Sequence, residues 1–318
     1  MATIKDVAKA AGCSISTVSY ALNNDKRIPE VTANRIKKIA DEINYLPSAA
    51  ARNLKKQNTN TILVAISNFG GPVYNELLDG IHNELAKHEY TMVVSTGASS
   101  DNMLKQRTAD GAIISDINIS DKFLRQLSKN FKPIIVLDRS LNNQNINNMT
   151  IDNLKAMYLL TQDVLSKGYK KIAYVHGVKD TYDNKTRFSG IQKALRENNL
   201  EIFKEYFGNF TKDSGKEIAS KIIEESIKPD MLICGNDEMA LGIMEVLQEN
   251  NIKIPENMGI SGFDDIQLSS YFTPKLSSIK INHFEWGQKI AKTLLRLLKG
   301  ATEKSTKELG TLIIRESY

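Results

Sequence analysis

The sequence predicts a small all-α unit followed by an α/β core of two doubly wound lobes. Three observations carry this. Apolar residues recur at helical spacing through residues 1–56, and from Thr61 onward short apolar β-rich runs alternate with amphipathic stretches. Those runs are also too numerous for one compact sheet. Strands alternating with helices indicate parallel sheets covered on both faces. The chain is 318 residues long, room for roughly two domains of usual size. With 41% hydrophobic and 25% charged residues the composition is that of a globular protein, not a disordered one. No stretch approaches the ~20 apolar residues of a membrane helix, and MATIKDVAKA lacks the apolar core of a secretory signal. Cys13 and Cys234 lie too far apart in sequence to suggest a disulfide framework or a cysteine metal cluster. A soluble cytoplasmic protein is expected, with no membrane partner.

In the first unit Ile4, Val7, Ala8 and Ala11 fall on one helical face. Thr3 precedes them, and Asp6 completes a capping-box-like start with Asp in place of Glu. Gly12 suits the left-handed stop of that helix. Ser14 caps a second helix carrying Val18, Ala21 and Leu22. A third, after NNDKRIP, repeats the period with Ile36, Ile39, Ala40 and Ile43, and Pro47 ends it. SAAARNLKK at 48–56 has helix propensity but almost no apolar face, so alone it is marginal. Residues 57–61 read as a linker.

Beyond the linker the strand-like runs are TILVAIS (61–67), YTMVVST (90–96), GAIIS (111–115), PIIVLD (133–138), KIAYVHG (171–177), DMLICG (230–235) and MGISGFDD (258–265). Helical patterns lie around 75–88, 154–167, 187–198, 214–226, 238–250 and 285–299. Ligands of such sheets bind outside the carboxyl ends of strands, so the residues just after each run are the place to look for a site.

VAKAAGCSISTVSYALN at 7–23 has the anatomy of a helix-turn-helix. Small Ala8, Ala10 and Ala11 let two helices approach, Gly12 turns the chain, and Val18 and Leu22 face inward. Ser16, Thr17 and Tyr20 stay outside, where a recognition helix needs short polar or aromatic groups. The plainer alternative is a three-helix miniature fold with solvated Ser and Thr. The charge favours a polyanion partner. Residues 1–60 hold ten Lys+Arg and five Asp+Glu, and the remaining 32 basic and 32 acidic residues cancel, so the whole net +5 sits on this piece.

TIKDVAKAAGCSISTVSYALN and NYLPSAAARNLKK closely resemble the start of the lactose-repressor (LacI/GalR) family of bacterial transcription regulators. The resemblance implies operator DNA as a partner. It assigns base-edge roles to Ile15, Ser16 and Tyr20 and phosphate roles to Ser14, Thr17 and Ser19. Thr3, Lys5, Arg27 and Arg35 are further DNA-contact candidates. Ile15 has two readings, since its spacing to Val18 and Leu22 also suits the core. Residues 48–56 resemble the family's hinge helix, in which Leu54 would wedge into the minor groove, with Ala51 and Lys55 beside it.

The resemblance continues through GPVYNELLDGIHNELAKHEY, VLDR, TIDN, RFSGIQKAL, CGNDEMALGIMEVLQE, GISGFDD, TPKLSSI and LIIRES. It implies a periplasmic-binding-protein-like core, its first lobe about 61–160 plus 285–318 and its second about 161–284. It also implies a small-molecule effector between the lobes, read here as a mono- or oligosaccharide. Carried over residue by residue, the effector contacts are Tyr74, Asp152, Arg187, Phe210, Asn236, Asp264 and His283. Four of them have a structural alternative: Asp264 in a turn, Arg187 paired with Asp183, Asn236 capping a helix, Phe210 in the core. Between VVSTGASS and DGAIISD only DNMLKQRTA remains for a helix, which is therefore expected to be short. Val73 stands where the family commonly has an aromatic, which weighs against a purine. No leucine heptads follow the last helix, so a homodimer is expected. A phosphocarrier protein is an alternative regulator.

An enzyme is the rival class, and its signatures are missing from the sequence. No G-x-G-x-x-G or P-loop opens a helix, and GISGF is not G-x-S-x-G. The four histidines show no metal spacing. No catalytic residue, metal or cofactor is expected. A transporter's solute-binding protein would have no use for residues 1–56.

Overall fold

The computed structural model describes residues 2–46, 58–131 and 133–318, which divide into units Met1–Thr59 and Asn60–Tyr318. In the first unit, helix α1 (Ile4–Ala11) starts where predicted. The Asp6 carboxylate accepts the Thr3 backbone N–H at 2.8 Å and its hydroxyl at 2.7 Å. Gly12 takes φ 62, the left-handed stop that a Cβ would oppose. Helix α2 (Ile15–Leu22) is capped by Ser14, whose Oγ accepts from the Thr17 N–H at 3.1 Å. Helix α3 (Glu30–Glu42) follows Pro29. Val7, Ala8, Ala11, Val18, Ile36 and Ala40 close a small core. Ala10, expected at the helix contact, is exposed instead, because α1 meets its neighbours through Ala8 and Ala11.

The second unit holds two six-stranded sheets. The first lobe contains β1 (Thr61–Ile66), α4 (Pro72–Ala86), β2 (Thr91–Thr96), α5 (Gly97–Gln106), β3 (Gly111–Ser115), α6 (Asp121–Leu127), β4 (Ile134–Val136) and β5 (Ile146–Ile151). The chain then crosses to α7 (Asn153–Ser166), β6 (Ile172–His176), α8 (Tyr182–Glu197), β7 (Lys204–Phe207), α9 (Lys212–Glu224), β8 (Met231–Cys234), α10 (Asp237–Glu249), β9 (Gly259–Asp264) and β10 (Ser277–Lys280). Helix α11 (His283–Leu298) and β11 (Thr306–Glu308) return to the first lobe, and β12 (Thr311–Ile313) ends in the second. Sheet orders are β11-β5-β4-β3-β1-β2 and β12-β10-β9-β8-β6-β7, parallel except for the β10–β12 pair.

Every strand-like run of the sequence becomes a strand, buried on both faces, except β2, whose residues are mostly half-buried. The expected lobe bounds shift. Helix α7 packs on α8, so the crossover falls at Asp152 and not near residue 160. The last residues also change lobe. Ile313 pairs with Ser278, and the Ser317 hydroxyl donates to the Ile260 carbonyl at 2.6 Å, covering an edge the second sheet would otherwise expose. The helix expected to be short is α5, ten residues long, because Gly97–Ser100 join it directly after β2.

Helices α4 and α11 cross closely enough that a Cβ at Gly80 would fall on the Phe284 carbonyl, and one at Gly287 on that of Leu77. Glycine is required at this contact, which fixes α11 to the first lobe. Among the described residues no helix is long and apolar enough to cross a membrane.

Candidate functional site

In the helical unit, capping α2 leaves its first turn outward. Ser14, Ile15 and Ser16 are exposed, and Ile15 at 45% lies outside the core, which settles its two readings in favour of the surface. The hydroxyls of Ser14, Ser16 and Thr17 form one cluster, with Ser14 Oγ 2.7 Å from Ser16 Oγ and 2.8 Å from Thr17 Oγ1. Ser19 and Tyr20 are half-buried one turn further on. Arg27 stacks over the Tyr20 ring at 3.9 Å and grips Asp25 with Nε and a terminal nitrogen, at 2.9 and 2.6 Å. That hydrogen bonding holds the Asp25 carboxyl down at about 2. Arg27, expected as a cation open to a phosphate, is thus engaged within the unit. Lys5 and Arg35 are exposed, and Thr3 is exposed at the start of α1. The hinge helix expected at 48–56, with Ala51, Leu54 and Lys55, lies outside the described residues.

In the α/β unit the candidates come from strand ends and helix starts, as the fold requires. Arg187, one turn into α8, is buried. Its Nε donates to Asn153 Oδ1 at 2.9 Å, a terminal nitrogen donates to the Gly235 carbonyl, and its guanidinium carbon lies 3.7 Å from the Phe263 ring centre. Asn153 in turn donates to Asp183 Oδ1 at 2.7 Å. Burial pushes the Asp183 carboxyl up, and Arg187 opposes this. The alternative pairing of Arg187 with Asp183 is therefore present, but bridged by Asn153. Phe210, half-buried with φ 69, places its ring 5.8 Å from the Arg187 guanidinium.

Asn236 caps α10 by accepting the Met239 N–H at 3.1 Å, and its amide donates to the Phe210 carbonyl at 2.8 Å. Its structural role is real, and through it Asn236 sets the Phe210 loop. Asp264 (φ 103) and Asp265 (φ 52) take left-handed backbone that side chains rarely adopt. A polar scaffold holds that turn. Buried Asp237 accepts the Ile266 N–H at 2.8 Å and the hydroxyls of Ser269 and Ser278, each at 2.6 Å, and Ser278 accepts the Asp265 N–H. Burial raises Asp237 to about 7 despite those bonds. Asp264 Oδ1 lies 3.4 Å from His283 Nε2. His283 is only 2% exposed, and neither ring nitrogen has a hydrogen-bond partner. Buried polar atoms are normally satisfied, so this pair of nitrogens is an exception.

Tyr74 donates its hydroxyl to the Ser115 carbonyl at 3.3 Å, and burial raises it. Asp152 is a helix cap, accepting the Lys155 N–H at 3.3 Å, and the structure brings Asn153 to Arg187 in its place. Sequence reasoning missed Asn153, Asp138 and Glu238, and named Asp183 only as a structural partner of Arg187. Asp138 follows β4 within the VLDR landmark, so the rule of reading strand ends could have found it. Burial raises it to about 7 while Arg139 pulls it down. Its Oδ1 is buried without a hydrogen-bond partner. It lines a cavity of 340 Å³ between the lobes, with Ile117 and Arg139 on one side and Lys179, Thr181 and Tyr182 on the other. No metal-holding cluster of His, Cys, Asp or Glu occurs among the described residues.

Residues 3–48 match the pattern of bacterial regulatory proteins of the lacI family, and residues 161–318 that of the periplasmic binding protein-like domain. The HTH-type transcriptional repressor PurR of Aliivibrio salmonicida (strain LFI1238) is 32% identical over 309 residues, 94% of this chain and 93% of that protein. The crystal structure of the lac repressor dimer bound to operator and the anti-inducer ONPF has a TM-score of 0.87 at 26% identity, covering 99% of this chain and 98% of that one. A LacI family transcriptional regulator from Enterococcus faecium with bound ribose has a TM-score of 0.74 at 27% identity, covering 81% and 98%. These relatives are transcription regulators and not enzymes. A capped helix-turn-helix, a two-lobed core with polar groups meeting at its strand ends, and kinship along nearly the whole length agree: the chain belongs to the LacI family of bacterial transcription regulators.

Proposed function

We propose that this regulator reads a two-fold-symmetric operator as a homodimer and is controlled by a purine base or nucleoside held between the lobes of its core. The observation that carries the ligand reading is the arrangement around Arg187. The Arg187 guanidinium carbon lies 3.7 Å from the Phe263 ring centre and 5.8 Å from that of Phe210, and Asp264 lies 3.4 Å from His283, whose ring nitrogens make no hydrogen bond. Flat faces with planar donor and acceptor edges suit a heteroaromatic ring. The similarity to PurR, whose name points to purines, supports the same choice over the sugar expected from sequence. Val73 does not weigh against it, since Val73 packs on the second lobe's core and Phe210 supplies the aromatic face. The second reading, a monosaccharide, is favoured by the similarity to the ribose-bound regulator.

Recognition of DNA is assigned to Ile15, Ser16 and Tyr20 at base edges and to the Ser14, Thr17 and Ser19 hydroxyls at phosphates. Leu54 is assigned to a minor-groove wedge. The lobes are joined at three places, near Asp152, near residues 281–282 and near 309–310, so a ligand gripping both shifts their angle. A ligand that prefers one lobe angle then shifts operator affinity by its differential binding. Calorimetry of the full chain with hypoxanthine, guanine and guanosine against ribose and cellobiose tests the ligand. Heat with the purines alone is expected, and heat with the sugars alone overturns the purine reading. Leu54→Ala is expected to weaken operator binding about tenfold or more, from the loss of a wedge that favours a kinked duplex. Unchanged affinity removes the wedge.

A further inference from the structure

We infer that the cleft selects an uncharged ligand and rejects its phosphorylated form: a base or nucleoside and not a nucleotide, a free sugar and not a sugar phosphate. The inference rests on the cleft being the effector site, as proposed above. It does not depend on which ring the effector carries.

Both lobes place carboxylates at strand ends and helix starts, and Asp138 and Asp180 line the cavity itself. Asp138 comes from the end of β4, Asp183 from the first turn of α8, Glu238 from the first turn of α10 and Asp264 from the end of β9. Asp138 feels the charge of Asp183, and Asp264 bears on both Asp183 and Glu238. Two of the nearby cations, Arg139 and Arg187, already give bonds within the chain. Arg139 is held by Asp121 at 3.1 Å, by Asp138 at 3.3 Å and by the carbonyls of Asp116 and Ile119. Arg187 gives its bonds to Asn153 and the Gly235 carbonyl while lying on Phe263. Lys179 stands exposed at the rim of the cavity.

Anions are commonly bound at helix N-termini, and here the chain occupies those positions itself. The N-termini of α8 and α10 are capped by Thr181 and Asn236. The start of α4 has no side-chain cap of its own, but Glu238 Oε1 approaches it, 3.2 Å from where a Cβ on Gly71 would sit. What remains open in the cavity is an acceptor, the buried and unpartnered Oδ1 of Asp138, whose side chain is 8% exposed. An acceptor there receives a ligand hydroxyl or N–H, which the ionised oxygens of a phosphate cannot donate.

The test is calorimetry of the full chain with matched pairs: guanosine and its 5′-monophosphate, inosine and its 5′-monophosphate, ribose and ribose 5-phosphate, glucose and glucose 6-phosphate. The uncharged member of the binding pair is expected to bind about 100-fold tighter or more, the scale of like-charge juxtaposition in a cleft. A phosphorylated member binding as tightly as its partner overturns the inference. Discrimination within a sugar pair supports it while overturning the purine reading. A preferred nucleotide does the reverse. In the isosteric Glu238→Gln variant, with folding checked by its unfolding midpoint, the gap is expected to narrow about tenfold, because one repelling charge is gone. An unchanged gap shows that charge is not its cause.

Discussion

Asp138→Asn makes the buried charge of the cleft measurable as stability. The ordinary carboxyl value is 3.8, and burial lifts Asp138 to about 7 against the pull of Arg139. Between these values the folded state keeps a proton that the unfolded chain has released. Asp138 therefore lowers stability progressively as pH rises from 3.8 to about 7; the penalty is absent below that window and constant above it. From pH 5 to pH 7, at 1.36 kcal/mol per unit, the wild type loses about 2.7 kcal/mol through this group. Asparagine has the same shape and cannot ionise, so the variant's stability relative to wild type should improve by about 2.7 kcal/mol between pH 5 and pH 8. At 2–4 °C per kcal/mol for a domain of this size, the midpoint gap shifts by about 5–10 °C. Asp237 titrates in both proteins and cancels. The single tryptophan, Trp286, is buried in α11 and reports unfolding of the core alone. Thermal melts followed by its fluorescence at both pH values give the answer. A gap between variant and wild type that stays constant with pH, or moves the other way, refutes the reasoning.

Other expectations concern packing and the two binding surfaces. Gly80→Ala drives a Cβ into the Phe284 carbonyl and should cost the core about 1–3 kcal/mol, seen as a lower midpoint by the same fluorescence. Ile15→Ala removes a side chain that is 45% exposed. Its stability cost should stay within about 0.5 kcal/mol, while operator affinity drops in an anisotropy titration; intact affinity would deny it a place in the groove. Asp264→Ala should abolish the effect of ligand on operator binding and leave ligand-free operator binding in place, which an unchanged ligand dose-response contradicts.

The sequence shows most clearly what is apolar and local. The run TILVAIS is legible because every one of its buried positions is aliphatic. INNMTI, the strand β5, is just as buried but hides behind two asparagines. Their polarity is tolerable because of specific partners: Asn148 exchanges hydrogen bonds with Leu141 and donates to the Ser305 hydroxyl, and Asn147 donates to the Glu303 carbonyl. Strand β10 is obscured in the same way, its buried Ser277 and Ser278 paired with Ser317 and Asp237. Sequence pattern carries no sign of partners that only the fold brings together.

The site divides along the same line. Arg187, Asn236, Phe210 and Asp264 came from motif resemblance, and the first three meet in space while Asp264 joins His283. Asp152 did not join them, because its carboxylate is used to start a helix. Its neighbour Asn153 was invisible until the fold placed it between Arg187 and Asp183. Arg27 looked like a phosphate contact by charge alone, and only the structure shows Asp25 holding it.

The central claim is that a ligand in the core controls a dimer on DNA. The most direct measurement is an anisotropy titration of the full chain onto a duplex selected by this protein from random DNA, with and without the ligand identified by calorimetry. The expected result is a two-fold-symmetric selected site, two chains per duplex, and an operator affinity that the ligand changes in the wild type but not in Asp264→Ala. An asymmetric site bound by one chain, or an affinity indifferent to saturating ligand, would contradict it.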